Sequence, residues 1–405
     1  MTKTFRVVPA IVFLLFSLVL ADRFRVHGKY TYDDTFNVDL MEPSGNDFRW
    51  VYVSAKTVLR GLDGYAWLHN NVYLPGVSVL YIPLTFLEIQ TAYEVFTLVL
   101  MAALWGAAYL ALSLGVGGAW TAGVRSLLAL LVTAIVFHTY PGQFSIERGN
   151  FDLLALVSMA AAIYFSLFRP LASAAFVGLA VVLKVYPILI LPALIRRISP
   201  GFPLLLFGIV VLGLVCLGPV GIREFIARLE YTQQAPLIAP LNHSMVSFFA
   251  AKGWPRAYVP YVLIAMLVPL SLASFLLYFR DNPRPVWKLS PKKGPLLLSE
   301  VCLIGACVSF MGLAVGTSID YKLVIQFFPF LLALGVRSES PKREGVLAVV
   351  FCLIGICLAW CLHLDRSVPR TPWIIGLFVL YLVAVAIEEM PGMLARHRKP
   401  RPLRA

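Results

Sequence analysis

The sequence predicts an all-α protein that crosses a membrane many times, and three observations support this fold class. Hydrophobic residues make up 60% of the 405 positions and charged residues only 14%, well below the roughly 25% of soluble domains. The mean hydropathy is +0.82. Apolar runs close to the ~20 residues that cross a bilayer recur along the chain. We therefore expect about eleven to thirteen transmembrane helices and no separate soluble domain.

The apolar runs form one membrane domain, expected over residues 1–395 and followed by a basic tail at 396–405. The first run, 7–21, follows Lys3 and Arg6 and resembles a signal peptide in length. No small-residue cleavage site separates it from the charged residues at 22–25, so we interpret it as the first span.

The positive charge of the chain lies mainly in short connections between apolar runs. The net charge is +13, and the basic clusters are Arg196-Arg197, 280–293, 337–343 and 396–404. Short loops rich in Lys and Arg are typical of the cytoplasmic face, with attraction to anionic lipid as a secondary effect. The basic charge therefore indicates contact with the bilayer rather than with nucleic acid.

These cytoplasmic loops place residues 22–75, 219–257 and Asp320 on the non-cytoplasmic face. Both long segments are rich in aromatic residues and prolines, which favours short helices lying in the membrane interface. Between 76 and 196 two threadings remain open. They differ in the side that holds Gln143 to Asn150, and the run 171–195 is either one span or broken at Lys184 to Pro187.

The six cysteines lie within apolar runs or at their ends, without histidine partners at metal-ligand spacing. We therefore expect neither disulfides nor a metal site, and no cofactor.

The clearest candidate for chemistry is Asp47, which opens an amphipathic stretch beyond the first span. A carboxylate there can act as a general base between a lipid substrate and water. It can equally cap the N-terminus of a helix. The residues alone leave both roles open.

The run that begins Asp47-Phe48 and continues through Tyr52 to Gly61 resembles the opening of GT-C superfamily glycosyltransferases. More narrowly, it is similar to glycosyltransferase family 87, the DUF2029 group. Further matching motifs follow in order: Tyr73-Leu74-Pro75-Gly76, Tyr81-Ile82-Pro83-Leu84, Gly142-Gln143 with Asn150, Lys184-Val185-Tyr186-Pro187, Asn242-His243-Ser244 and Asp320. The resemblance covers roughly residues 5–335.

The resemblance implies a GT-C-like helical bundle with interfacial helices in its outer loops. It also implies transfer of a sugar, typically mannose, from a polyprenyl phosphate to an acceptor hydroxyl with inversion. Asp47 is then the base. The charge that develops on the leaving phosphate needs cationic or hydrogen-bonding partners. The candidates for that role are Arg49, Lys184, His243 and Lys322. The other substrate-binding candidates are Gln143, Asn150, Tyr186, Asn242 and Asp320.

The chain departs from the family at the late outer helix start. Relatives commonly show an aromatic residue, an acid and two histidines, whereas this chain has Ile319-Asp320-Tyr321-Lys322. Either Lys322 replaces the histidine charge, or the donor is held differently.

Several candidates also have plain structural interpretations. Arg49 can reach lipid headgroups along its aliphatic stem, and Lys184 can simply be paired within the membrane. Residues 242–244 form a glycosylation sequon. Glu147 to Asn150 can be an interfacial turn with an internal ion pair. Glu88, Glu300 and Glu388-Glu389 look like charges at the ends of spans.

Two other functions compete with a membrane glycosyltransferase. A transporter or flippase also carries intramembrane charges, but it concentrates polar residues and helix breaks near the midplane. Here acids, aromatics and prolines gather in the outer segments, which favours the enzyme. A non-catalytic subunit of an envelope-biosynthesis complex is the third possibility. We expect a cell-membrane location, while the sugar and the acceptor, a lipid or a glycan, stay open.

Overall fold

The computed structural model describes residues 8–9, 11–13, 15, 46–62, 73–116, 120–234, 242–281, 295–314, 320–336, 343–363 and 370–397. Within these ranges the chain forms α-helices and short 3-10 helices, and no β-strand occurs there. The prediction of an all-α fold is confirmed.

Sixteen α-helices are labelled in chain order among the described residues. They are α1 (Asn46–Leu59), α2 (Pro75–Tyr81), α3 (Ile89–Val116), α4 (Ala122–Phe137), α5 (Tyr140–Glu147), α6 (Asp152–Ser166), α7 (Pro170–Leu183), α8 (Leu191–Leu194), α9 (Gly201–Val215), α10 (Gly218–Gln234), α11 (Met245–Ala251), α12 (Val259–Asp281), α13 (Leu298–Ala314), α14 (Phe327–Gly335), α15 (Glu344–His363) and α16 (Thr371–His397). The 3-10 helices span Ile82–Phe86, Tyr186–Ile190, Ile195–Arg197, Arg256–Tyr258 and Asp320–Gln326.

Four helices in the described ranges are long and apolar enough to cross a membrane by themselves. Three of them lie within α3, α15 and α16, and the fourth combines the 3-10 helix Arg256–Tyr258 with most of α12. A fifth candidate is the pair α9 and α10, which bends by 92° at the break between them, and six shorter apolar helices of 10–17 residues accompany these. The protein is therefore a multi-pass membrane protein.

Some expectations concern parts of the chain outside the described residues. These are most of the first span, much of the loop 22–75, the connection around 282–294 and nearly all of the tail 396–405.

The core of the bundle is built by α6 packed against α3 and α7, and by α13 packed against α16. Small residues allow close approach where α3 passes α14. A Cβ on Gly115 would lie only 2.7 Å from the Cα of Gly335, so the two backbones almost touch. Because Gly115 lies near the end of α3, this contact fixes one end of α14 against one end of α3.

The run 171–195, left open by the sequence, is broken. Helix α7 ends at Leu183, and Lys184 has extended backbone dihedrals (φ −150°, ψ 132°). A 3-10 helix begins two residues later, with a proline at its start. The break interrupts the helix at the one lysine of this apolar stretch.

Helix α13 separates two groups of charged residues. Its 17 residues span about 25 Å at 1.5 Å per residue. Glu300 lies in its first turn, and its other end leads towards the 3-10 helix 320–326, which packs against α5 and α6. The two ends of the bundle therefore carry separate polar clusters.

Candidate functional site

The carboxylate of Asp47 is held by two residues that lie more than 100 positions later in the chain. Arg148 donates from Nη2 to Oδ1 at 2.8 Å and from Nε to Oδ2 at 3.2 Å, and Asn150 Nδ2 donates to Oδ2 at 2.5 Å. The Asp47 side chain keeps 13% of its surface exposed. Two donors on the arginine make a bidentate ion pair, which fixes the orientation of the carboxylate.

The hydrogen bonds of Asp47 differ from those expected of a helix cap. Its described hydrogen bonds go to the side chains of Arg148 and Asn150, not to backbone N–H groups of α1. In the turn 147–150, Arg148 forms a long-range ion pair with Asp47. Asn150 and Asp47 therefore lie at the same end of the bundle, which was open from the sequence.

Helix α1 is seated on this turn by its neighbouring residue, Phe48. Phe48 is fully buried, and its ring lies 5.4–5.5 Å from those of Tyr81, Tyr93 and Phe96. Its backbone N–H donates to the carbonyl of Arg148 at 3.1 Å. Aromatic packing and one backbone hydrogen bond therefore place Asp47 directly beside the turn.

Gly149 makes this seating possible. It has φ +63°, a conformation that side chains strongly disfavour, and a Cβ there would lie 2.6 Å from the Cβ of Phe48. Only glycine satisfies both requirements, so this position controls how closely α1 approaches the turn.

Asn150 joins Asp47 to the start of α6. Its Nδ2 lies 3.5 Å from the Tyr73 hydroxyl, and its Oδ1 accepts the backbone N–H of Asp152 at 3.1 Å. Asn150 is fully buried. The side-chain amide of Asn150 thus uses its nitrogen and its oxygen to connect the carboxylate of Asp47 to the rest of the cluster.

The extended backbone at Lys184 brings its ammonium group into the same cluster. Nζ donates to the Tyr73 hydroxyl at 3.2 Å, lies 4.3 Å from the centre of that ring, and is 3.5 Å from Asp152 Oδ2. The other oxygen of Asp152 accepts the hydroxyl of Tyr186. The predicted site residues Lys184 and Tyr186 therefore meet at Asp152.

A second lysine reaches this cluster from the 3-10 helix 320–326. Lys322 Nζ lies 5.4 Å from the centre of the Tyr186 ring, and the charges of Asp152, Lys184 and Asp47 act on it. The Asp320 side chain lies outside what the structure describes. The lysine at the place of the family's histidines thus belongs to the Asp47 end of the bundle.

The other predicted site residues are described by their burial and by local contacts. Arg49 is exposed, and Gln143 is buried in α5. Asn242 accepts the backbone N–H of Ser244, whose hydroxyl caps α11, while the carbonyl of buried His243 accepts the hydroxyl of Thr371 at 3.1 Å. The Asn242 to Ser244 segment acts as a helix-capping turn in the described structure.

Sequence reasoning missed two members of the cluster, Arg148 and Asp152, and noted Tyr73 only within a motif. Asp152 carried a usable signal, because an acid at the start of an apolar run is costly unless it is paired or functional. The partner of Arg148 carried no local signal, since Asp47 lies 101 residues away.

The cluster combines a partly exposed carboxylate with several cations at one end of a membrane bundle. A carboxylate that reaches the surface can accept a proton, and nearby ammonium groups can stabilise developing negative charge. This combination fits a membrane-embedded transferase that acts on an anionic substrate.

The family comparison identifies the class of enzyme. The model of glycosyltransferase family 87 matches residues 71–291, more than half of the chain, so the protein belongs to this family and is a membrane glycosyltransferase. The matched region contains Asn150, Asp152, Lys184 and Tyr186, while Asp47 and Lys322 lie outside it. No curated protein matches the chain.

Proposed function

We propose that the protein transfers a sugar, with mannose as the expected one, from a polyprenyl-phosphate donor to a hydroxyl of a lipid or glycan during assembly of the cell envelope. The observation that carries the proposal is the bidentate seating of a partly exposed Asp47 carboxylate beside Tyr73, Lys184 and Lys322. A base and a phosphate-binding group are the two elements that this transfer requires.

Asp47 suits the role of base better than its neighbour Asp152. The Asp47 side chain is 13% exposed, whereas that of Asp152 is completely buried. Within the described structure, Oδ1 of Asp47 accepts a single hydrogen bond, and a carboxylate oxygen can accept two. An acceptor hydroxyl can therefore donate to Oδ1 while Arg148 stays in place.

The proposed step is a single displacement. The acceptor oxygen loses its proton to Asp47 and bonds to the anomeric carbon from the face opposite the phosphate. The bond from carbon to the phosphate oxygen breaks, and its electron pair leaves with the polyprenyl phosphate. This sequence inverts the anomeric configuration and leaves a protonated Asp47.

The lysines at this end are the groups that stabilise the departing phosphate. Lys184 Nζ lies 3.5 Å from Asp152 Oδ2, and Lys322 Nζ lies 5.4 Å from the centre of the Tyr186 ring. An ammonium group is a compact point charge that suits a phosphate. Arg49 is exposed, which makes it a weaker candidate.

We infer that this site faces the non-cytoplasmic side of the membrane. The basic residues Arg196 and Arg197, expected to be cytoplasmic, lie with Glu300 at the opposite end of α13. A polyprenyl-phosphate sugar offers its headgroup at a membrane surface, and the Asp47 end is the one with an accessible carboxylate.

The test of the activity is reconstitution. Purified protein in lipid vesicles is supplied with polyprenyl-phosphate mannose, with the corresponding arabinose and glucose donors, and with a panel of lipid and glycan acceptors. Transfer with inverted anomeric configuration supports the proposal. Transfer only from a sugar nucleotide, with none from any polyprenyl-phosphate sugar, contradicts it.

The sidedness has a separate test. In a background without the native cysteines, Lys252→Cys reports on the outer segment and Pro200→Cys on the connection after Arg197; both positions are exposed. We expect a membrane-impermeant thiol reagent to label only Lys252→Cys in intact cells. Labelling of both, or of Pro200→Cys alone, excludes the proposed orientation.

A further inference from the structure

We propose that Asp152 is a positioning residue for donor binding: it holds Lys184 in the place where that lysine contacts the donor phosphate. The inference deepens the proposed function and rests on it. Asp152 was not among the residues that the sequence indicated for this site.

The contacts of Asp152 are divided between two functional groups. Oδ1 accepts the Tyr186 hydroxyl, and Oδ2 faces Lys184 Nζ at 3.5 Å. Its own backbone N–H is held by Asn150, the residue that also binds Asp47. Asp152 therefore links the lysine to the same framework that seats the base.

Burial shows that Asp152 acts through another residue. Its side chain has no exposed surface, while that of Lys184 retains 13%. A substrate can reach the lysine but not the carboxylate behind it. The carboxylate also lies in the first turn of α6, close to the N-terminal end of that helix.

The charge balance around Asp152 fits an anionic ligand. Asp152 lies beside Lys184 and also acts on Lys322. Among the charged groups described for this cluster, three cations (Arg148, Lys184 and Lys322) accompany two carboxylates (Asp47 and Asp152). A cation buried in a membrane protein is costly without a partner. Asp152 offsets the cost of burying the Lys184 charge, and the cluster as described keeps a net positive charge that suits a phosphate.

The experiment measures binding of polyprenyl-phosphate mannose to purified protein in lipid and compares Asp152→Asn, Lys184→Gln and the double variant. Each single substitution is expected to weaken donor affinity about tenfold or more, the loss of one charge-assisted contact. Because Asp152 acts through Lys184, the double variant is expected to bind like Lys184→Gln alone.

The matched control is Glu300→Gln, which also removes the charge of a buried, ion-paired carboxylate, but at the other end of α13. It is expected to lower thermal stability without changing donor affinity. Tyr186→Phe provides a milder variant if Asp152→Asn folds poorly, since it removes the hydroxyl that donates to Oδ1. We expect it to weaken donor binding severalfold, and to have no further effect in the Lys184→Gln background.

Three results overturn the inference. One is parental donor affinity in folded Asp152→Asn. Another is a loss that adds fully to that of Lys184→Gln, and the third is an equal loss in Glu300→Gln. Failure of the proposed function gives a different result: the unmodified protein then neither binds nor uses polyprenyl-phosphate mannose. In that case the inference about Asp152 is also wrong.

Discussion

The two ends of the bundle each hold charged side chains, but they hold them differently. At one end, Glu300 receives Arg196 at 3.3 Å and Arg197 at 2.7 Å, and these three side chains are only 1% exposed. At the other end, Asp47 and Arg148 form an ion pair at 2.8 Å with side chains 13% and 19% exposed. The two ends therefore hold similar ion pairs. The Glu300 group is almost fully buried and is called the closed cluster, and the partly exposed group around Asp47 is called the open cluster.

The closed cluster is enclosed by the protein and tied to its backbone. Glu300 Oε2 also accepts the backbone N–H of Leu297 at 2.9 Å, and Arg197 donates to the carbonyl of Pro295 at 3.1 Å. Such a cluster fastens the start of α13 to the segment after α8. The open cluster has hydrogen-bonding capacity that reaches the surface, and this difference favours the open cluster as the site for the proposed chemistry.

The largest expected effect belongs to the open cluster. Asp47→Asn keeps the shape of the side chain but removes the carboxylate, so the variant cannot take the acceptor's proton. We expect turnover to fall about 10²- to 10⁴-fold, with donor affinity near the parental value. Steady-state transfer assays and donor titrations measure both quantities. Near-parental turnover would exclude Asp47 as the base and leave Asp320 as the next candidate.

The closed cluster is expected to respond in stability instead. Glu300→Ala leaves two buried guanidinium groups without their carboxylate, and breaking a buried pair in this way costs about 3–5 kcal/mol. Thermal or denaturant unfolding in detergent measures the loss. Turnover per folded molecule should stay unchanged. A selective loss of turnover in well-folded Glu300→Ala would show that the two ends are functionally coupled.

A substitution that disturbs the packing of α1 against the turn 147–150 is expected to have an intermediate effect on turnover. Gly149→Ala strains a backbone with φ +63° and forces Phe48 away from the turn, which displaces Asp47. Small displacements of a reacting group can cost up to about 10²-fold, and we expect turnover to fall about tenfold or more.

Gly253→Ala is the matched control for this variant. Gly253 has φ +68° but open space around its Cβ position, so alanine there introduces the same backbone strain without a displaced neighbour. Equal turnover in the two variants would contradict the role given to Gly149.

The smallest expected effect is at Arg49, which lies two residues from Asp47 but is exposed. Arg49→Gln should change donor affinity and turnover less than about twofold, because exposed charges contribute little. The same donor titration measures it. A tenfold loss of donor affinity would place Arg49 in the phosphate site and weaken the assignment to the lysines.

The sequence predicted the fold class because hydropathy and charge placement are local properties. It also predicted Asp47, Asn150, Lys184, Tyr186 and Lys322 as site residues, and the structure brings these five to one end of the bundle. Their role in catalysis stays a prediction.

The pairings within the site could not be predicted in the same way. Arg148 reaches Asp47 across 101 residues, and Asp152 meets Lys184 only because α7 ends at Leu183. Neither the partner of a charge nor the exact end of a helix is encoded in a short motif.

The identity of a single atom in Asn150 governs the chemical character of this end of the molecule. Its Nδ2 lies 2.5 Å from Asp47 Oδ2, a distance that only a donor and an acceptor can share. An aspartate at position 150 would have the same size and shape, yet it would set two carboxylates against each other, and such a pair retains a proton between them. The shared proton would compete with the one that Asp47 is proposed to take from the acceptor. Conversion of Asn150 to aspartate, the product of deamidation, would thus weaken the proposed base.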